Sequence, residues 1–548
     1  MPQPGLPRIN IIKWRRLLGE HMNPERIIDV LSFGPVLRSP NRWGDTVDDL
    51  PGLINALKEL ADAGGSSWDK LVFAGMVGHL CKAILWLHRD EFRYGEHTSG
   101  QQQQHRHMAL CDFTPALGIL VAGAFRLRPP LSLSQQRFVQ EIKEHWSWIT
   151  RRLWTDPQNS LRPEQPHIGE RADFARMLLA IVLVDPTLLS IIDNPGDLTV
   201  PILSRMLVYT SGLSDFLSLS VALATVFYPL SVAQEDSAIY EYRQAHPAAL
   251  NMFDSFLLGL PNRSFSAFFD FILDRLPHLP TYELSELCGM LDSLCHKAQW
   301  GSEADTIFIR YMCGRSSSIF SYLFAIFRDP AMVKPTEGHS PNAFMPSIMR
   351  LVAYLTNQVT SEWTEQSQPF IRICRQARLF DALEGLLVHG RHWQQSLEPF
   401  GTIISSICGM VLSRPFMIPL LRVDLPRPQL MRHILDILYD RTHENHRWLQ
   451  QQRNIGSFRA VMFSLTSLRL LEIACRIYGH CMRRGCTKKR RARCKDCHLV
   501  EYCGPVCQRL DWKEHRLICG LVINVEGSTV TDPQRFPFRF IQEPSNAI

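Results

Sequence analysis

The sequence predicts a mainly α-helical protein with a small metal-held segment near its C-terminus, and three observations carry that prediction. Apolar residues recur at helical spacing along most of the chain, alternating strand patterns are scarce, and seven of the fifteen cysteines crowd into Cys481–Cys519. At 548 residues the chain is too long for one hydrophobic core. Its 45% hydrophobic and 20% charged residues suit a folded protein rather than a disordered one.

Residues 1–470 read as a helical scaffold. "SFSAFFDFILDRL" sets Phe265, Phe268, Phe269, Ile272 and Leu276 in one apolar stripe behind Ser264 as N-cap. "QLMRHILDILYDRTHENHRWLQQQ" repeats the pattern with Leu430, Met431, Ile434, Leu435 and Leu438. Asp185-Pro186 and Asp329-Pro330 read as turns leading into helices, because proline is tolerated in a first helical turn. Breaks come near Asn194, Pro335 and Pro426, and subdivisions are expected near 100–107, 155–173 and 331–345. "GQQQQHRH" reads as an exposed linker, with His105 and His107 as metal contacts the lesser alternative. The array resembles HEAT or armadillo solenoids, but it has no repeat of fixed period, so an irregular helical domain is the alternative.

Composition narrows the function classes. The longest uncharged apolar stretch, Phe216–Ala233, reaches the lower limit of a membrane span, yet its serines and Pro229 point to a buried helix, and no membrane association is expected. The first thirty residues show no signal peptide. Free thiols in a reducing, intracellular setting are therefore expected, in the nucleus or cytoplasm, and the scattered cysteines outside the cluster act as small buried hydrophobes. The dinucleotide, phosphate-loop, serine-elbow and His-Glu-x-x-His signatures of enzymes are absent, so no enzyme is expected.

The cysteine-rich segment carries the specific signal. Its spacings are Cys481-x4-Cys486, Cys494-x2-Cys497, Cys503-x3-Cys507 and His515-x3-Cys519. Seven sulfurs and one imidazole make two closed tetrahedral sites, which suits two structural zinc ions and not a catalytic one with an open position. Cys503/Cys507 and His515/Cys519 stand at i, i+4, so a helical turn would place each pair on one face. The segment holds eleven Lys/Arg and four Asp/Glu, a formal +7 in a chain of +6. So cationic a segment buries little apolar surface, and metal binding must supply its folding energy, about 10–16 kcal/mol per zinc. Spacing leaves the pairing open between two sequential sites and a cross-braced arrangement.

"YCGPVCQRLDWKEHRLIC" resembles the second half of a MYND-type zinc finger, with its Tyr-Cys-x3-Cys-Gln, Asp-Trp and His-x3-Cys. The resemblance implies interleaved sites. Cys481, Cys486, Cys503 and Cys507 would hold one zinc, and Cys494, Cys497, His515 and Cys519 the other. The first pair is wider than in many members, which leaves His480 or Cys475 as substitute donors, the lesser alternative. The resemblance further implies a protein-interaction module, an adaptor in transcriptional regulation or the ubiquitin pathway, that binds a short proline-containing peptide of a partner through Gln508 and Trp512. Trp512 offers a flat apolar face to proline, and Gln508 a donor and an acceptor to peptide backbone. Packing inside the finger is the alternative for Trp512. Lys495, after the third cysteine, departs from the small polar residue of some peptide-binding members and favours an acidic partner.

The basic run Lys488, Lys489, Arg490, Arg491 and Arg493 is tied at both ends by ligands and reads as a solvated loop, with nuclear import or nucleic-acid contact as alternatives. MYND fingers also occur in SET-type lysine methyltransferases, but "ENHRW" at Glu444 does not supply the Asn-His-x-Cys-like motif these need. The tail 520–548 is expected to carry a short β-element around Leu521–Val525, with alternating Phe536, Phe538 and Phe540 free to dock on the finger or the helices.

Overall fold

The structure, a computed structural model, describes residues 8–19, 21–33, 40–45, 49–86, 114–155, 170–227, 238–246, 252–298, 302–314, 317–337, 344–389, 396–440, 443–451, 455–477 and 479–519. The linker with His105 and His107, most of 155–173, part of 331–345 and the tail lie outside the described residues. The fold is mainly α, and the only strands among the described residues are two short ones in the cysteine-rich segment. The chain divides into two compact units, Met1–Phe268 with His296–Thr306, and Phe269–Cys295 with Ile307–Ile548.

In the first unit each helix packs on others close in sequence. Helix α1 (Arg8–Leu17) lies on α2 (Leu50–Ala63), α2 on α3 (Thr114–Phe125), α3 on α4 (Glu170–Val184) and α5 (Thr199–Tyr209) on α6 (Leu213–Phe227). Helix α4 also packs on α6, and α5 on α7 (Met252–Gly259). Gly259 permits the last contact, since a Cβ there would lie 2.0 Å from the Pro201 carbonyl oxygen. The apolar stretch from Phe216 is a buried helix up to Phe227, with Phe216, Leu219, Leu223 and Val226 all enclosed. Among the described residues no single helix is long and apolar enough to cross a membrane. The phenylalanine stripe is also core: Phe265 and Phe268 meet Phe253 and Phe256, with ring centroids 5.1 Å apart for Phe256 and Phe268. Ser264 sits at the helix start as expected, its Oγ accepting the Ser266 N–H at 3.2 Å.

The second unit follows the same rule. Helix α8 (Ser317–Arg328) packs on α10 (Leu379–His389), and α9 (Met345–Ser361) on α11 (Leu397–Ser413). Helix α11 lies against α13 (Ile455–Ile477), which leads into the cysteine-rich segment. Gly401 lets these two approach, because a Cβ there would stand 2.3 Å from the Ala460 carbonyl oxygen. Helix α12 (Pro428–Tyr439) buries Leu430, Met431, Ile434, Leu435 and Leu438, and it stops at Tyr439, so "ENHRWLQQ" forms a helix of its own. Asp329 accepts the Ala331 N–H at 3.2 Å and opens a short helix at Pro330, as the Asp-Pro pair predicts. Outside the cluster, Cys81, Cys288, Cys295, Cys313, Cys374 and Cys408 are buried free thiols. Cys111 and the side chain of Cys475 lie outside the described residues.

The turn between Leu421 and Pro428 is the seat of the cysteine-rich segment. Arg427, with a side chain only 3% exposed, organises it. Its guanidinium pairs with Asp381, lies 3.4 Å from Glu384, and donates to the Asp424 carbonyl at 2.5 Å. A buried cation must be paired on every side to be tolerated. Burial alone would raise the Asp381 carboxyl, but the hydrogen bonds and charges of Arg427 and Arg378 hold it below its ordinary value.

Candidate metal centre

The segment 479–519 folds around a hairpin of two-residue strands and one helix. Strand β1 (Ala492–Arg493) pairs antiparallel with β2 (Glu501–Tyr502), Ala492 opposite Tyr502 and Arg493 opposite Glu501. The intervening turn carries Cys494 and Cys497. It closes with the Cys494 N–H on the Val500 carbonyl at 2.8 Å, and His498 has φ +54°. The first knuckle spans Cys481 to Cys486, where Gly485 at φ +73° lets four residues turn between the two sulfurs. The wide first pair is thus accommodated by a left-handed glycine. The Met482 N–H reaches the Glu501 carbonyl at 2.7 Å, so this knuckle also docks on the hairpin.

Helix α14 (Pro505–His515) begins after Gly504 in extended conformation, with Pro505 at its first position. One helical turn under each i, i+4 pair is therefore not what forms. Cys503 precedes the helix, because proline fixes the start at 505. Cys519 follows it, because the N–H groups of Leu517 and Ile518 bond three residues back and tighten the chain into turns. The pairs still converge, Cys503 and Cys507 with sulfurs 3.4 Å apart.

The side chains assemble into two quartets. Cys481, Cys486, Cys503 and Cys507 form one, and Cys494, Cys497, His515 and Cys519 the other, with the ligand atoms of each within 4.8 Å of one another. Sulfur–sulfur distances of 3.9 Å (Cys486–Cys503, Cys486–Cys507, Cys494–Cys519) match the edge of about 3.8 Å in a tetrahedron with Zn–S near 2.3 Å. They are far beyond a disulfide's bond length of about 2.05 Å. His515 turns Nε2 toward Cys497, 3.4 Å from its sulfur, so the nitrogen takes the fourth corner. Both quartets fit structural zinc, and the interleaved pairing holds. In the first quartet burial would raise Cys486, but hydrogen bonds from the Lys488 backbone and from neighbouring thiols bring it down to about 7, while burial lifts Cys481. His480 is in neither quartet and bridges to Lys489 instead.

The apolar core beneath the quartets is small, with Met482, Val500 and Tyr502 packed among the cysteines. Tyr502 is fully enclosed and donates to buried Asp511 at 2.8 Å, which ties the hairpin to the middle of α14. Burial raises both groups: Asp511 despite that hydrogen bond, and Tyr502 further because of the adjacent carboxylate. Residue-level reading gave Tyr502 and Asp511 no role, although both stand in the quoted motif beside Cys503 and Trp512.

Two further links join this segment to the helices of its own unit. Arg422 donates from Nη2 to the Cys486 carbonyl at 2.6 Å. Arg484 donates from Nε to the Pro426 carbonyl at 3.3 Å and pairs with Glu514. None of these arginines was singled out by spacing.

The basic run is not a free loop. Arg490 and Arg493 both pair with Glu501, the latter at 2.8 Å, and the Arg491 N–H bonds the Tyr502 carbonyl at 2.8 Å. Burial would raise the Glu501 carboxyl, but these two arginines hold it below its ordinary value. Lys488, Lys489 and Arg491 remain exposed. Gln508 is half-buried and Trp512 is 39% exposed, at i and i+4 of α14, so Trp512 does not fill the core of the finger. Its ring meets His515 edge-on at 5.8 Å.

The family model described as MYND finger matches residues 480–519. A MYND finger is a protein–protein interaction module with two zinc sites. With eight ligands in two interleaved quartets and that match, residues 480–519 of this chain are a MYND finger.

Proposed function

We propose that this protein is an adaptor, without chemistry of its own, whose finger holds a short proline-containing peptide of a partner protein. One observation carries the reading: Gln508 and Trp512 stand side by side on the outer face of α14 while every ligand position is filled from within. A closed tetrahedral site has no place for a substrate, which leaves the finger's surface as its means of action. An exposed indole beside an amide suits a proline-bearing strand, the ring packing on proline and the amide bonding backbone. The helical body serves as the scaffold, and a role in transcriptional regulation is the setting we favour for such an adaptor.

The test is display selection of proline-containing peptides on the full-length zinc-loaded protein. A motif should emerge with wild type and vanish with Gln508→Ala/Trp512→Ala, provided both proteins hold two zinc ions per chain. The same motif from both proteins, or no motif from either, refutes the groove. Partners captured from cells by both alike would then place binding on the helices.

A further inference from the structure

Charge on the finger is distributed unevenly between inside and outside. Of its four carboxylates three are engaged within the fold: Glu501 with Arg490 and Arg493, Glu514 with Arg484, and Asp511 with Tyr502. Only Asp496 stays exposed among them without such a partner. Other cations are left outside. Arg509, Lys513 and Arg516 are exposed on α14 and its last turn, and none has an acidic group within ion-pair distance among the described residues. At about 100° per residue, Gln508, Arg509, Trp512, Lys513 and Arg516 fall on one continuous stripe of the helix. Lys495 is a further exposed cation of the finger. It lies in the knuckle whose Cys497 shares a quartet with His515, the residue Trp512 packs against.

We infer that the finger's docking face is selective for an acidic peptide, one whose apolar anchor on Trp512 is flanked by carboxylates. The inference rests on the peptide-binding reading above and adds the partner's charge. Arg509 and Arg516 are seven residues apart, about 10 Å along the helix axis at 1.5 Å per residue. An extended peptide covers that distance in about three residues at 3.3 Å each. A carboxylate one or two positions to either side of the anchor therefore meets an arginine on each flank. A nucleic acid is the competing occupant of any cationic aromatic surface. The run that would serve it best, Lys488–Arg493, has two of its arginines committed to Glu501. Along the axis the indole lies between Arg509 and Arg516, with the amide at the edge of the stripe, which suits backbone with side-chain charges better than a phosphate track.

The test is fluorescence anisotropy on the full-length zinc-loaded protein. The probes are twelve-residue libraries with proline fixed at the centre and Asp, Asn or Lys fixed at the flanking positions, together with a twenty-nucleotide single strand. Tighter binding of the Asp library than the Asn library, about tenfold for two partly exposed charge contacts, is expected at low salt and should shrink in high salt. Arg509→Glu/Arg516→Glu should erase that preference while keeping Asn-library binding and two zinc ions per chain. Lys495→Glu, off the helix, should weaken it in part. Equal affinity for the Asp and Asn libraries overturns the charge inference and leaves the groove standing. Loss of no library on Trp512→Ala overturns the groove itself. A single strand that outcompetes the Asp library, and loses affinity in the arginine double variant, assigns the face to nucleic acid instead.

Discussion

Arg422→Ala tests whether the finger is held by the helices beneath it. The side chain is half-buried and its Nη2 donates to the Cys486 carbonyl at 2.6 Å, joining the turn after Leu421 to the first zinc knuckle. A hydrogen bond with a charged partner contributes about 1.5–3 kcal/mol. Partial exposure takes the lower end, and the Arg484 link to Pro426, at 3.3 Å, persists in the variant. A loss of about 1.5 kcal/mol is a roughly tenfold shift toward the undocked finger. Hydrogen exchange on the full-length zinc-loaded protein reads it directly, because slow exchange tracks the open population. The informative amides are those of Cys481 and Cys486, bonded to Lys488 and Arg483, and that of Arg422, bonded to Ile418. All should exchange about tenfold faster in the variant, and not in Arg509→Ala, whose exposed side chain has no hydrogen bond or ion pair to the helices among the described residues. Unchanged protection in both segments, with both ions retained, would show that the helices do not hold the knuckle and that the reasoning is wrong.

Further expectations concern metal, packing and pH. His515→Ala should lower zinc content from two ions toward none rather than to one, because α14 carries Cys507 of the first quartet and His515 of the second, and an eleven-residue helix is marginal alone. Metal analysis of the purified protein checks it, and a stable one-zinc chain would contradict it. Gly401→Val should destabilise by about 2–3 kcal/mol, since the added carbon meets the Ala460 backbone rather than a movable side chain; a denaturant titration gives the number. Asp381→Asn should cost about 2 kcal/mol at neutral pH by leaving enclosed Arg427 short of its partner. Folding holds the Asp381 carboxyl below its ordinary 3.8, so its contribution is complete above that value and is lost as pH falls through the folded-state pKa. Urea titrations of both proteins should therefore converge only on strong acidification. A gap between them that widens toward low pH would reverse the sign.

What the sequence shows and what it hides divides along a physical line. Local rules were legible. The Phe265 stripe, the Asp329-Pro330 turn and the four ligand pairs could be read because each depends on residues a few positions apart, and helix period, proline geometry and ligand spacing act at that range. The pairing of the quartets was open to spacing, and the family resemblance was needed to choose the interleaved form. Long-range partners were not legible. Arg422 meets Cys486 across 64 positions and Arg427 meets Asp381 across 46, and nothing in the type of either arginine marks it from its neighbours. The run Lys488–Arg493 looked uniform as letters, yet strand register hands Arg490 and Arg493 to Glu501 and leaves Arg491 outside. The helical turns expected under Cys503/Cys507 and His515/Cys519 failed because periodicity was applied across Pro505 and past the end of α14, where it no longer governs.

The seat built around Arg422 and Arg427 has a consequence for geometry. A finger on a slack tether samples every bearing and can only raise the local concentration of whatever it catches. A finger clamped at its first knuckle points one way relative to α12 and α13. Whatever lies on α14 is then presented at a set angle and distance from those helices, so a molecule held there would have its orientation dictated as well as its identity.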